Sequence, residues 1–186
     1  MLNKKAAESR IEQAIKKGDL VLFLADSESY ESINAMILKK LVNEGGMKGV
    51  YVTLNKPYSV VSEKLRRAGV RTERIMFADG ITKSTKGREE LSGNCLYFRD
   101  SHSLTSLSII ISDIVNMVEG EKFLFLDSLS TLLIYNSAGN VIKFSHFLTT
   151  RMREWNLKGI LMSLKKDARK ELIENIAQFC DSVVRL

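Results

Sequence analysis

The sequence predicts an α/β fold, a mostly parallel sheet covered by helices on both faces, and three observations lead there. Short apolar runs recur along the chain, each with the length of a strand buried on both sides. Amphipathic patterns at helical spacing separate them, and glycines or charges punctuate the joins. Strand alternating with helix in this way needs crossover connections, which are right-handed in nearly all sheets.

The elements follow in order. Residues 1–17 are polar and charged with helical spacing, and lack the apolar centre and cleavage site of a signal peptide. Strands are predicted at 20–24, 49–54, 74–78, 95–98, 122–126, 159–163 and 182–186. Between the first two, Ile33, Met36, Ile37 and Leu41 share a helix face that stops at Gly45-Gly46. Pro57 suits a first helical position; Val61, Leu65 and Ala68 follow on one face, and Gly69 ends it. Leu104 to Val118 and Val141 to Trp155 carry two broader apolar faces, and a last helix from about Ala168 to Phe179 follows Asp167 as N-cap. The polar stretch 82–94 reads as an exposed loop.

Composition bounds the function. With 186 residues, 45% of them hydrophobic and 27% charged, the chain predicts a single domain over 1–186. One proline and eleven glycines exclude a disordered or collagen-like chain. No eighteen-residue apolar run occurs, so no membrane contact and a cytoplasmic location are expected. Cys95 and Cys180 have no CxxC or Cys/His partner, so no metal site is expected and both read as small buried groups. The net charge of +6 permits nucleic-acid contact without establishing it.

Open parallel sheets bind ligands at the carboxyl ends of their strands, so the turn after the first strand matters most. It reads Ala25-Asp26-Ser27-Glu28-Ser29-Tyr30-Glu31-Ser32. Over the phosphate-loop pattern GxxxxGK[ST], Ala25 and Tyr30 replace the glycines, Glu31 replaces the lysine, and only the hydroxyl, Ser32, is kept.

In order and register, nearly the whole chain resembles the RecA-like ATPases, and within them the KaiC-like branch common in archaea. The opening strand, loop and helix match Gly18 to Gly46, the second strand runs into Asn55-Lys56-Pro57, and Phe123-Leu124-Phe125-Leu126-Asp127-Ser128 resembles a Walker B strand. The late strand and helix and the closing Cys180-Asp181-Ser182-Val183-Val184-Arg185-Leu186 complete the likeness. The resemblance implies a P-loop NTPase-like three-layer sandwich with Asp127 as the Walker B aspartate, and with Ser32 and Asp127 as the remnant of a Mg²⁺-ATP site.

The departures from the family pattern point away from its chemistry. Glycines let backbone amides approach phosphate and the lysine neutralises it; Tyr30 obstructs the approach and Glu31 reverses the charge. One carboxylate ~4 Å from a phosphate charge costs about 4 kcal/mol at an effective dielectric near ~20, roughly a thousandfold in affinity. Family members that hydrolyse ATP carry a carboxylate after the second strand, where this chain has Asn55 and Lys56, neither a general base at neutral pH. The expectation is therefore no catalytic residues and no cofactor, with Mg-ATP disfavoured. Asp127 is expected to cap a turn with Ser32 bonded to it.

Other constellations carry less. Lys64, Arg66, Arg67, Arg71 and Arg74, continued by Lys83, Lys86 and Arg88, form a basic cluster that could meet nucleic-acid phosphates, although Glu63 and Glu73 interrupt it. Lys165, Lys166, Arg169 and Lys170 stand near where KaiC-like proteins place basic residues that reach a neighbouring subunit's nucleotide. His102 and His146 have no metal spacing, and Tyr58 and Tyr135 are candidate exposed contacts. The sequence thus predicts a pseudo-ATPase acting through a protein partner or a homo-oligomer, against two alternatives: a nucleic-acid-binding accessory protein, or a weak residual ATP-binding protein.

Overall fold

A computed structural model describes residues 4–82, 90–100, 102–167 and 170–186. Its elements are α1 (Lys4–Lys17), β1 (Leu20–Ala25), α2 (Tyr30–Leu38, continued as a π-helix over Lys39–Glu44), β2 (Lys48–Thr53), α3 (Tyr58–Arg67), β3 (Ile75–Asp79), β4 (Glu90–Ser92) and β5 (Cys95–Tyr97). Then follow α4 (Leu104–Asn116), β6 (Lys122–Asp127), α5 (Leu129–Tyr135), α6 (Ala138–Glu154), β7 (Lys158–Leu164), α7 (Lys170–Ala177) and β8 (Ser182–Arg185).

Among the described residues, eight strands join one sheet in the order β4-β5-β3-β2-β6-β7-β1-β8. Every pairing is parallel except that of β4 with β5. Side chains alternate across each strand, and the sheet's two faces make two cores. Leu20, Leu22 and Leu24 with Leu124 and Leu126 face α4, α5, α6 and α7. Val21, Phe23 and Ala25 with Phe123 and Phe125 face α1, α2 and α3. This is the expected mostly parallel sheet with helices on both faces. Such close packing leaves no volume to add in the central strands: a Cβ on Gly49 of β2 would lie 2.4 Å from the Phe123 ring.

Two expectations need correction. The stretch read as a loop over 82–94 contains β4, an antiparallel edge strand turned back onto β5 by Gly93 at φ +58°; three residues are too few for a periodic signal. The apolar residues after β6, for which no element was expected, form a short helix, α5, whose cap Ser128 accepts a hydrogen bond from the Thr131 amide. Pro57 caps α3 instead of opening it. Ala168, the expected start of the last helix, lies outside the described residues.

Candidate functional site

The carboxyl ends of β1, β2 and β6 converge beneath the first turn of α2, and Asp127 is the last residue of β6. Alternation along β6 puts Phe123, Phe125 and Asp127 on the face covered by α2 and α3. The register of β2 on β6 sets Tyr51 opposite Phe125 and Thr53 opposite Asp127. Tyr51 therefore lies on the same face, its ring stacked 4.8 Å from that of Phe125, and its hydroxyl reaches up to donate to Asp127 Oδ2.

Three further groups address this buried carboxylate. Tyr30, first residue of α2, donates from its hydroxyl to Asp127 Oδ1 at 2.8 Å. Asn55 Nδ2 donates to the same oxygen at 3.2 Å. Asn34 Nδ2 donates to the Tyr51 hydroxyl oxygen at 3.3 Å and, at 3.5 Å, to Asp127 Oδ2. A carboxylate offers about four lone-pair directions, and these donors address all of them. Burial pushes the Asp127 carboxyl above its ordinary range, while the hydrogen bonds from Tyr51, Tyr30 and Asn55 pull the other way. Burial first, and the Asp127 charge second, push the Tyr30 and Tyr51 hydroxyls well above theirs, so both remain donors at neutral pH.

The loop before α2 is closed on itself. Ala25 is fully buried at the end of β1. The Ser29 amide donates to the Asp26 carbonyl at 3.1 Å, and Lys165 pairs with Asp26 at 2.7 Å. Ser32 Oγ donates to the Ser29 carbonyl at 2.7 Å, so the expected bond from Ser32 to Asp127 is replaced by one inside the turn. Nor does Asp127 cap a turn. The buried aspartate that does so is Asp79, which accepts from the amides of Tyr58, Ile81 and Thr82.

Glu31 is not the unopposed negative charge that the sequence suggested. Lys56 and Lys64 both donate to it, and those hydrogen bonds hold its carboxyl below the ordinary range. Repulsion of an anion by Glu31 is therefore weaker than the sequence suggested, and the group that stands over Asp127 is the Tyr30 side chain.

The basic cluster lies on the surface, with its charges largely paired within the chain. Lys64 serves Glu31, and Arg66 and Arg67 pair with Glu63 at 3.0 and 2.8 Å. Arg71 donates to the carbonyls of Val42 and Asn43, and Arg74 to those of Gly46 and Met47, together pinning the π-helical end of α2. Lys83, Lys86, Arg88 and Arg169 lie outside the described residues. Tyr58 is packed against Phe77, with its hydroxyl donating to Asn94, and so is not an exposed contact. Tyr135 is exposed, its ring against His102. His146 lies against Phe179. Burial raises both thiols to about 12, and of the two Cys95 is buried and Cys180 partly so. Among the described residues, no three His, Cys, Asp or Glu side chains gather as a metal site, and no helix is long and apolar enough to cross a membrane.

Tyr51 and Asn34 are the site residues that sequence reasoning missed. A tyrosine inside the otherwise apolar run Val50 to Val52 was the available signal, because a buried hydroxyl needs a partner. Beside them a cavity of about 300 Å³ opens between α2 and α3, bordered by Asn34, Tyr51, Asp127, Lys64 and Leu65, and by Ser32.

The family of unknown function DUF7504 matches residues 23–186. Among solved structures, a KaiC-like protein from the hyperthermophilic archaeon Pyrococcus horikoshii superimposes with a TM-score of 0.61 at 18% identity, covering 86% of this chain and 68% of that one. A second protein of that organism gives a TM-score of 0.63 at 16% identity, covering 94% and 86%. A third, an uncharacterized protein in complex with an unknown peptide, gives 0.64 at 16% identity, covering 95% and 82%. These likenesses carry the KaiC-like, RecA-type fold. No curated protein matches the chain.

Proposed function

The chain belongs to the DUF7504 family of unknown function, and from that footing we propose that it is a KaiC-like pseudo-ATPase, one that neither hydrolyses ATP nor binds it tightly and works through protein contacts. The observation that carries this reading is the Tyr30 hydroxyl on Asp127: an aromatic side chain stands where a phosphate loop is open, bonded to the carboxylate that would help hold Mg²⁺. Asn55 also bonds to Asp127, from the position where a general base would stand, and Lys56 beside it is tied to Glu31. The test is a thermal melt with and without millimolar Mg-ATP. A ligand at a hundred times its Kd stabilises by about 2.7 kcal/mol, roughly 5 to 10 °C for a domain of this size; no shift with ATP or ADP is expected. A clear shift, or ATP turnover abolished by Asp127→Ala, would overturn the reading.

The protein-contact half rests on apolar surface. Ile134, 72% exposed, and Tyr135, 55% exposed, end α5, and Phe147 is exposed on α6. One neighbour of this fold is in complex with an unknown peptide, which supports the reading. If the partner is a second copy, light scattering gives a mass above the 21.0 kDa monomer that falls to it in Ile134→Glu. A wild-type mass of 21.0 kDa at high concentration would leave only a different protein as partner.

A further inference from the structure

We propose that the cavity between α2 and α3 binds a small anionic amphiphile, a single apolar or aromatic ring with a hydrogen-bond donor at its inner end and a carboxylate or phosphate at the mouth. The inference goes beyond the pseudo-ATPase reading and does not depend on it, since that reading has its own test in the melt with Mg-ATP.

Three features of the cavity set the ligand's chemistry. Its walls are apolar, with Val61, Leu65, Ala35 and Ala68 facing the rings of Tyr30 and Tyr51. Its mouth carries three cations, Lys56, Lys64 and Arg67, against two carboxylates: both lysines engage Glu31, and Arg67 pairs with Glu63 on the exposed side. One residue on its border holds an acceptor without a donor. Asn34 borders the cavity and is only 5% exposed, and its Oδ1 is buried with no hydrogen-bond partner. The amide's orientation follows from its neighbours, because turning it over would set Oδ1 against the acceptor-only oxygens of Asp127. An unpaired buried acceptor carries a desolvation cost that a ligand N–H or O–H would remove.

Size narrows the class further. About 300 Å³ lies at the small end of ligand cavities, which run from ~300 to ~1,000 Å³. That suits a single-ring molecule and not a nucleoside triphosphate. Asp127 takes no part in recognition, since its own lone pairs are already addressed by Tyr30, Tyr51, Asn55 and Asn34.

Calorimetry with four probes tests this on the full chain: 4-hydroxyphenylacetate, 4-hydroxyphenyl phosphate, phenylacetate, which lacks the inner donor, and 4-methylphenol, which lacks the anion. The hydroxylated acid should bind about fivefold more tightly than phenylacetate, the effect of one net hydrogen bond. Asn34→Leu should erase that difference while leaving phenylacetate binding in place. Lys64→Met and Arg67→Ala should each weaken all three anionic probes about threefold or more and leave 4-methylphenol unchanged. The tighter of the carboxylate and the phosphate identifies which anion the mouth is built for. The proposal falls if no probe binds, if wild type binds phenylacetate as tightly as the hydroxylated acid, or if neither mouth variant weakens the anions. Should Asn34→Leu fail to fold, the wild-type comparison of probes still decides.

Discussion

Phe125→Ala is expected to lower the unfolding free energy by about 3 to 5 kcal/mol, the range for removing a buried aromatic side chain. Two terms add. The ring is fully buried in β6, which lies between β2 and β7 at the centre of the sheet, so its transfer energy is lost entirely. The space left behind cannot close easily, because rigid strands bound it on both sides and Tyr51, stacked on the ring at 4.8 Å, is held by its own hydroxyl. Against a typical total of about 5 to 15 kcal/mol such a loss is a large fraction, and urea denaturation would read it as a lower midpoint with unchanged slope. Phe147→Ala, on the exposed face of α6, is the matched control and should stay within about 0.5 kcal/mol of wild type. A loss below about 1 kcal/mol for Phe125→Ala would mean that Tyr51 and α2 settle into the vacated volume.

How much of this was legible in the sequence depends on the range of the interaction. Buried strands write themselves as apolar runs, and seven of the eight were readable for that reason; β4, Glu90–Ser92, is short, polar and at the edge, where nothing forces a pattern. The departure of residues 25–32 from the phosphate-loop pattern was legible because it is local, eight consecutive residues with other shapes and charges. What fills the place of that loop was not. Tyr30 meets Asp127 across 97 positions and Tyr51 meets it across 76, contacts set by strand register and not by spacing. Glu31 shows the same limit in reverse, since its charge could be read from the chain but its two lysine partners come from the β2–α3 connection and from α3. The basic cluster shows the limit too: its charges were readable, but not that Arg71 and Arg74 donate to backbone carbonyls at the end of α2 and the turn after it.

Tyr51→Phe is expected to cost about 2 to 3 kcal/mol at pH 8, the upper range for a hydrogen bond to a charged group, and distinctly less near pH 4. The sign follows from Asp127. Burial raises its folded pKa above the ordinary value of 3.8. Its linkage contribution is therefore fully present below that value and is lost as pH rises through the raised folded pKa, because the buried carboxylate must then carry a charge. The Tyr51 hydroxyl works against this loss by stabilising the ionised form, and it stays protonated throughout, its own pKa being pushed well above 10.0. Without it the Asp127 pKa climbs further, and the penalty grows on the alkaline side of the titration. Asp127→Asn removes the titrating group, so in that background Tyr51→Phe should cost about 1 kcal/mol or less and lose its pH dependence. Urea denaturation of the four proteins at both pH values measures the coupling. A Tyr51→Phe cost that is the same at both pH values and additive with Asp127→Asn would show that the hydroxyl does not act on an ionised carboxylate. The expected coupling ties stability to the proposed inactivity in one bond: the donor that makes a buried Asp127 tolerable also occupies an oxygen that a bound metal would require.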